Sequence, residues 1–89
     1  MAKVECFSID GVECWFYSQD HRPPHFHARK HGQWHFRVWF LRKEAAMLER
    51  MPGPRKRISK QDRKTLQQMA ANHRAELLQE WEHKVKHDD

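Results

Sequence analysis

The spacing of apolar residues changes character along this chain. From residue 3 to residue 17 it alternates. Phe7, Ile9, Val12, Cys14 and Phe16 fall on one side of an extended backbone, and Cys6, Trp15 and Tyr17 on the other. Asp10-Gly11 interrupts the alternation with a two-residue hairpin signal. Strands at 3–9 and 12–17 are therefore predicted, with Phe7 opposite Cys14 and Cys6 opposite Trp15. Alternation resumes over 25–30 and 34–40, around Gly32. Here the facing of side chains selects the turn. A three-residue loop, His31-Gly32-Gln33, pairs Phe26 with Val38 and Ala28 with Phe36 on the apolar face. On the polar face it pairs His25 with Trp39, His27 with Arg37 and Arg29 with His35. A two-residue turn would mix polar and apolar side chains on both faces.

After Ser59 the period lengthens to that of a helix, with Leu66, Met69, His73, Leu77, Trp81 and Val85 three or four residues apart. Ser59 fits an N-cap, and Asp62 sits where a capping box places its acid. Residues 41–51 read as a short helix or an irregular connection, ended by Met51-Pro52-Gly53-Pro54. The expected fold is α+β. One domain spans 1–89, with a four-stranded, mostly antiparallel sheet of two hairpins (3–40), a connection (41–58) and one long C-terminal helix (59–86) across the apolar face.

Composition narrows the class. Eighty-nine residues allow only a modest core. A hydrophobic content of 38% with 33% charge suits a globule rather than a disordered tail. No run approaches the roughly 20 apolar residues of a membrane span. The opening Met-Ala-Lys-Val-Glu-Cys lacks the apolar stretch of a signal peptide, so a cytoplasmic protein is expected. The net charge of +5 favours a polyanionic partner, nucleic acid or an acidic protein. Arg55, Lys56 and Arg57 lie just before a helix N-terminus, a place suited to phosphate or to an acidic partner. Cys6 and Cys14, on opposite faces, read as free thiols.

The candidate chemistry gathers in residues 20–31, Asp-His-Arg-Pro-Pro-His-Phe-His-Ala-Arg-Lys-His, which hold four of the eight histidines. Pro23 and Pro24 bias the backbone towards extension before His25. The polar face then carries His25, His27, Arg29, His35, Arg37 and Trp39, with Tyr17, Asp20 and His21 flanking the entry loop. Three readings stay open. In the first, His25 and His27 exchange protons with an RNA phosphodiester. Arg29 and Arg37 hold the phosphate, Trp39 or Tyr17 stacks a base, and Asp20 or His21 orients an imidazole. In the second, His-x-His binds a metal, with His21, His35 or Asp20 as third ligand. Arg29 and Arg37 would repel a cation and weigh against this, so no metal or other cofactor is expected. In the third, the histidines are surface residues or hydrogen-bond anchors.

The chain also resembles a family of small bacterial proteins designated domain of unknown function 4160. The resemblance rests on Phe16, Tyr17, Ser18, Asp20, His21, Pro23, Pro24, His25, His27, Arg29, Trp39, Leu77, Leu78 and Trp81. Members are often encoded beside a small partner, and the pair looks like a toxin–antitoxin module. The resemblance thus implies a toxin held inactive by a cognate small antitoxin. The leading expectation is a toxin that acts on RNA as a metal-independent ribonuclease. The alternatives are a non-catalytic module binding an acidic protein or a nucleic acid, and a metal-dependent hydrolase using the His-x-His.

Overall fold

A computed structural model describes residues 1–85. The architecture is α+β, an antiparallel sheet with helices on one face. Five strands, β1 (Ala2–Lys3), β2 (Glu13–Phe16), β3 (Phe26–Lys30), β4 (Trp34–Val38) and β5 (Leu48–Arg50), lie in sequence order. The β3–β4 hairpin has the register that the facing argument selects, Phe26 opposite Val38, His27 opposite Arg37, Ala28 opposite Phe36 and Arg29 opposite His35. Gly32 takes the left-handed conformation that the loop requires, at φ 73°.

The first hairpin departs from the expected pairing. Around Asp10-Gly11, Ile9 does face Val12. Nearer the N-terminus, however, Lys3 faces Trp15 and Ala2 faces Phe16. Partner numbers sum to 21 at the turn and to 18 beyond it, so the register moves by three residues. Cys6 therefore does not pair with Trp15, nor Phe7 with Cys14. Residues 5–8 bow out of the ladder, and a helix side chain satisfies the first two of their amides. The amides of Glu5 and Cys6 donate to the Glu80 carboxylate at 2.8 and 2.9 Å. Phe7 still reaches the core, its ring edge-on to Phe26 at 5.7 Å.

The expected four strands become five because part of the 41–51 connection joins the sheet. Leu48, Glu49 and Arg50 face Val38, Arg37 and Phe36 of β4. Backbone bonds from Trp39 N to Met47 O (2.8 Å) and from Met51 N to His35 O (2.9 Å) lengthen the pairing. A strand of three residues with one apolar side chain leaves no readable alternation. Arg50 also disguises it, because its guanidinium covers Phe36 at 4.8 Å where an apolar residue would be expected.

The expected single helix is divided into α1 (Lys60–Asn72) and α2 (Arg74–Lys84). His73, at φ −117° and ψ 25°, leaves the helical region, and its Nδ1 donates to Met69 O at 2.8 Å. Arg74 holds the junction against the sheet by donating to Phe40 O (2.8 Å) and Arg42 O (3.0 Å). Ser59 caps α1, its hydroxyl accepting from Asp62 N at 3.0 Å. The Asp62 carboxylate turns to Lys30 Nζ instead of closing a capping box. α2 ends at Lys84, where Val85 turns extended at φ −110° and ψ 125°, short of the expected end at 86, which itself lies outside the described residues.

Leu66, Leu77, Trp81 and Val85 are buried against Phe16, Phe26, Val38 and Phe40, and Met69 and Leu78 pack at the margin. Each large side chain of this kind contributes roughly 1.5–3 kcal/mol when buried, so the stripe is the main tie between helices and sheet. Cys6 and Cys14 are free. Burial pushes both thiols up to about 12, aided at Cys6 by the Glu80 carboxylate, so neither supplies a thiolate nucleophile at neutral pH.

A candidate site built on buried histidines

The site lies on the face of the sheet to which Trp15, His27 and His35 point, with Trp81 of α2 reaching its edge at His25. A tight turn, with Asp20 N bonded to Tyr17 O at 3.3 Å, returns Asp20 over the start of β3. His25 and His27 follow with Phe26 between them, so both imidazoles leave on the same face. They are only 1% and 2% exposed. Alternation identified their face correctly, but that face is roofed with aromatic rings rather than open to water. Trp15 of β2 stacks on His27 at 5.5 Å and leans on His35 at 5.4 Å. Tyr17 meets His27 edge-on at 4.6 Å, and Trp39 and Trp81 flank His25 at 4.6 and 5.4 Å. Trp15 is the residue that sequence reasoning missed. Its side of the strand was legible, but its position over His27 follows from β2 pairing with β3.

Asp20 is the pivot of this cluster. Its Oδ2 lies 3.1 Å from His25 Nε2 and 3.1 Å from His27 Nε2. The two contacts differ. His27 makes a hydrogen bond, whereas His25 Nε2, though close and buried, has no hydrogen-bond partner among the described residues. On their far sides the rings are tied down. His25 Nδ1 donates to Pro23 O at 2.9 Å. His27 Nδ1 meets His35 Nε2 at 3.2 Å. Burial holds the His27 imidazolium down, to about 4, against the opposing pull of Asp20. Burial, then Arg29 and Arg37, also lower His35. Both rings are neutral at physiological pH.

The cations expected on this face are already engaged. Arg29 Nη2 reaches both Glu13 oxygens at 3.1 Å and lies over Trp15. Arg37 Nη1 donates to Glu49 Oε1 at 3.2 Å, and Trp39 Nε1 donates to the same oxygen at 3.1 Å. Glu49 could not be assigned here from sequence, because nothing marked β5 as a strand. The Trp39 ring carries two guanidiniums, Arg37 at 5.2 Å and Arg42 at 4.7 Å, so it is more a support for cations than an open stacking platform. Tyr17, at 43% exposed, is the open ring. His21 is exposed and outside the cluster. Arg55, Lys56 and Arg57 are also exposed, and Lys56 N bonds to Gln33 O in the β3–β4 turn. That places the basic run at the opposite end of β3 from His25.

The arrangement can bind at one point more readily than it can divide acid from base. Two imidazole nitrogens turned to one carboxylate oxygen share an environment, whereas separate acid and base roles need environments that differ.

The fold and this centre define a small α+β protein with a buried Asp–His–His cluster beneath an aromatic and arginine rim. The chain belongs to the family described as domain of unknown function (DUF4160), which it matches over residues 11–82. No curated protein and no solved structure matches it. The match spans β2 to α2 and includes every residue of the cluster. No helix among the described residues is long and apolar enough to cross a membrane.

Proposed function

We propose that this protein is the toxin of a bacterial toxin–antitoxin pair, that it works in the cytoplasm, and that it acts on RNA phosphodiesters at Asp20, His25 and His27. The observation that carries this reading is the convergence of both Nε2 atoms on Asp20 Oδ2 at 3.1 Å, beneath a rim of Tyr17, Trp39, Arg37 and Arg42. Tyr17 offers a face to an unpaired base, and arginine planes can stack on a second. Arg29 and Arg37 hold exposed glutamates in surface ion pairs, which are worth only about 0–1 kcal/mol. A phosphate can displace those carboxylates at little cost. Two histidines acting separately as acid and base is the simplest scheme, but their shared oxygen favours a joint role.

The partner's place is the basic run. Arg55, Lys56 and Arg57, with Lys60, Arg63 and Lys64 exposed beside them, form a positive surface remote from the centre. An acidic antitoxin docking there would suit the charge. Induced expression of wild type, Asp20→Asn, His25→Ala and His27→Ala, with and without the neighbouring gene, tests the reading. Arrest of growth with RNA breakdown is expected for wild type alone, with strong loss in the variants. Undiminished arrest in all three variants would remove the centre from the mechanism. If charge reversal at 55–57 abolishes function while the centre variants stay active, the protein is a binding module instead.

A further inference from the structure

We infer that Asp20, His25 and His27 form a binding site for one divalent transition-metal ion, with Zn2+ the best fit, held by Asp20 Oδ2, His25 Nε2 and His27 Nε2. The inference rests on this centre being the functional site but not on RNA being its substrate.

His25 Nδ1 lies 2.9 Å from the Pro23 carbonyl, which can only accept. Its Nε2 is buried, lies 3.1 Å from Asp20 Oδ2, and has no hydrogen-bond partner among the described residues. His27 Nε2 approaches the same oxygen at 3.1 Å. Two imidazole nitrogens thus converge on one carboxylate oxygen in a site nearly closed to water, an arrangement that one divalent cation satisfies.

Ligand bonds of about 2.0–2.2 Å in a tetrahedral zinc site set neighbouring donor atoms about 3.3 Å apart. Both Nε2 atoms lie 3.1 Å from Oδ2, and the three donors lie within 4.8 Å of one another. The unpartnered, buried Nε2 of His25 is such a ligand waiting for a cation. The outer shell has the usual form too, each metal-bound imidazole donating its other N–H to an acceptor. Here Pro23 O receives from His25, and His35 Nε2 stands 3.2 Å from His27 Nδ1. Arg29 and Arg37, expected to repel a cation, are turned to Glu13 and Glu49. Three protein ligands leave a fourth position for water or a phosphoryl oxygen, the arrangement of catalytic rather than structural zinc.

The test uses the full chain, stripped with chelator and dialysed. Titration with ZnCl2 by calorimetry, metal content after gel filtration, and the visible spectrum with Co2+ are the readouts. One ion per chain and a tetrahedral Co2+ spectrum are expected. Asp20→Asn, which keeps the shape of the native side chain, should weaken Zn2+ binding by at least about 100-fold, the upper end of what loss of an outer-shell partner costs. His83→Gln, at an exposed histidine, should change nothing. Absence of stoichiometric binding, or equal binding by Asp20→Asn, overturns the inference. The two proposals fail separately. Tight metal binding with intact RNA removes the RNA reading alone, and RNA cleavage by a protein that takes up no stoichiometric Zn2+ removes the metal alone.

Discussion

Glu80 holds the N-terminal segment to the last helix, and replacing it should unfold the protein at a much lower temperature. Its carboxylate accepts from the Glu5 and Cys6 amides at 2.8 and 2.9 Å and from Lys84 Nζ at 2.7 Å. The side chain is only 13% exposed. Hydrogen bonds to a charged group are worth roughly 1.5–3 kcal/mol each, the lower end applying here because Glu5 is exposed and Cys6 half-buried. Losing two such bonds in Glu80→Ala should therefore cost about 3 kcal/mol, the Lys84 pair adding little. For a domain of this size that lowers Tm by roughly 15 °C, read by circular dichroism at neutral pH. Glu80→Gln keeps one acceptor and should lose about half as much. The carboxyl is held below its ordinary 4.5, its burial outweighed by bonds from Lys84 and the Cys6 and Glu5 backbone. A depressed acid stabilises the fold above its unfolded pKa, and that contribution is lost as pH falls through the folded one. The wild-type-to-Ala gap should thus be full at pH 6 and shrink below pH 4.5. A loss under about 0.5 kcal/mol, within the range of an ordinary surface change, would refute the clamp. Because Trp81 adjoins Glu80 and packs on His25, weakened zinc binding in Glu80→Ala would extend its role to the site.

His27 predicts a pH dependence of the metal-free protein. Its pKa falls from 6.5 to about 4, so the unfolded chain takes up a proton first. Stability is intact above pH 6.5 and declines towards pH 4 by up to about 3 kcal/mol; a flat urea midpoint across that window would refute this. Arg74→Ala removes two bonds to the Phe40 and Arg42 carbonyls. It should cost about 1–3 kcal/mol and speed amide exchange in α2 more than in α1. Tyr17→Ala changes a ring 43% exposed. It should leave Tm nearly unchanged while weakening single-stranded RNA binding by about 1–3 kcal/mol, seen by fluorescence anisotropy.

The residues differ in how much of their place could be read ahead of the structure. The β3–β4 register followed from one constraint, that slipping a residue exchanges the two faces. The Ser59 cap and the Leu66–Val85 stripe followed from local hydrogen bonding and helical period. The bulge at 5–8 did not, because its amides are satisfied by Glu80, more than seventy residues away. β5 was hidden because its exposed Glu49 and its Arg50 serve β4 neighbours rather than a period of their own. The break at His73 was hidden because histidine suits a half-buried helix position; only its bond to Met69 O and the pull of Arg74 end the first helix there.

For the site, sequence alone determined the donors and their common face. His25, His27, Arg29, His35, Arg37 and Trp39 share a side because side chains alternate along strands, and Pro23-Pro24 sets where that side begins. What covers the face was decided by strand order and by the loop's return. β2 laid Trp15 over His27, the turn at Tyr17 carried Asp20 to both imidazoles, and Glu13 and Glu49 took the arginines. Period reports direction, and direction is local. Burial, pairing and net field depend on which distant segments meet, and these turned an exposed basic face suited to phosphate into a closed centre three donors wide.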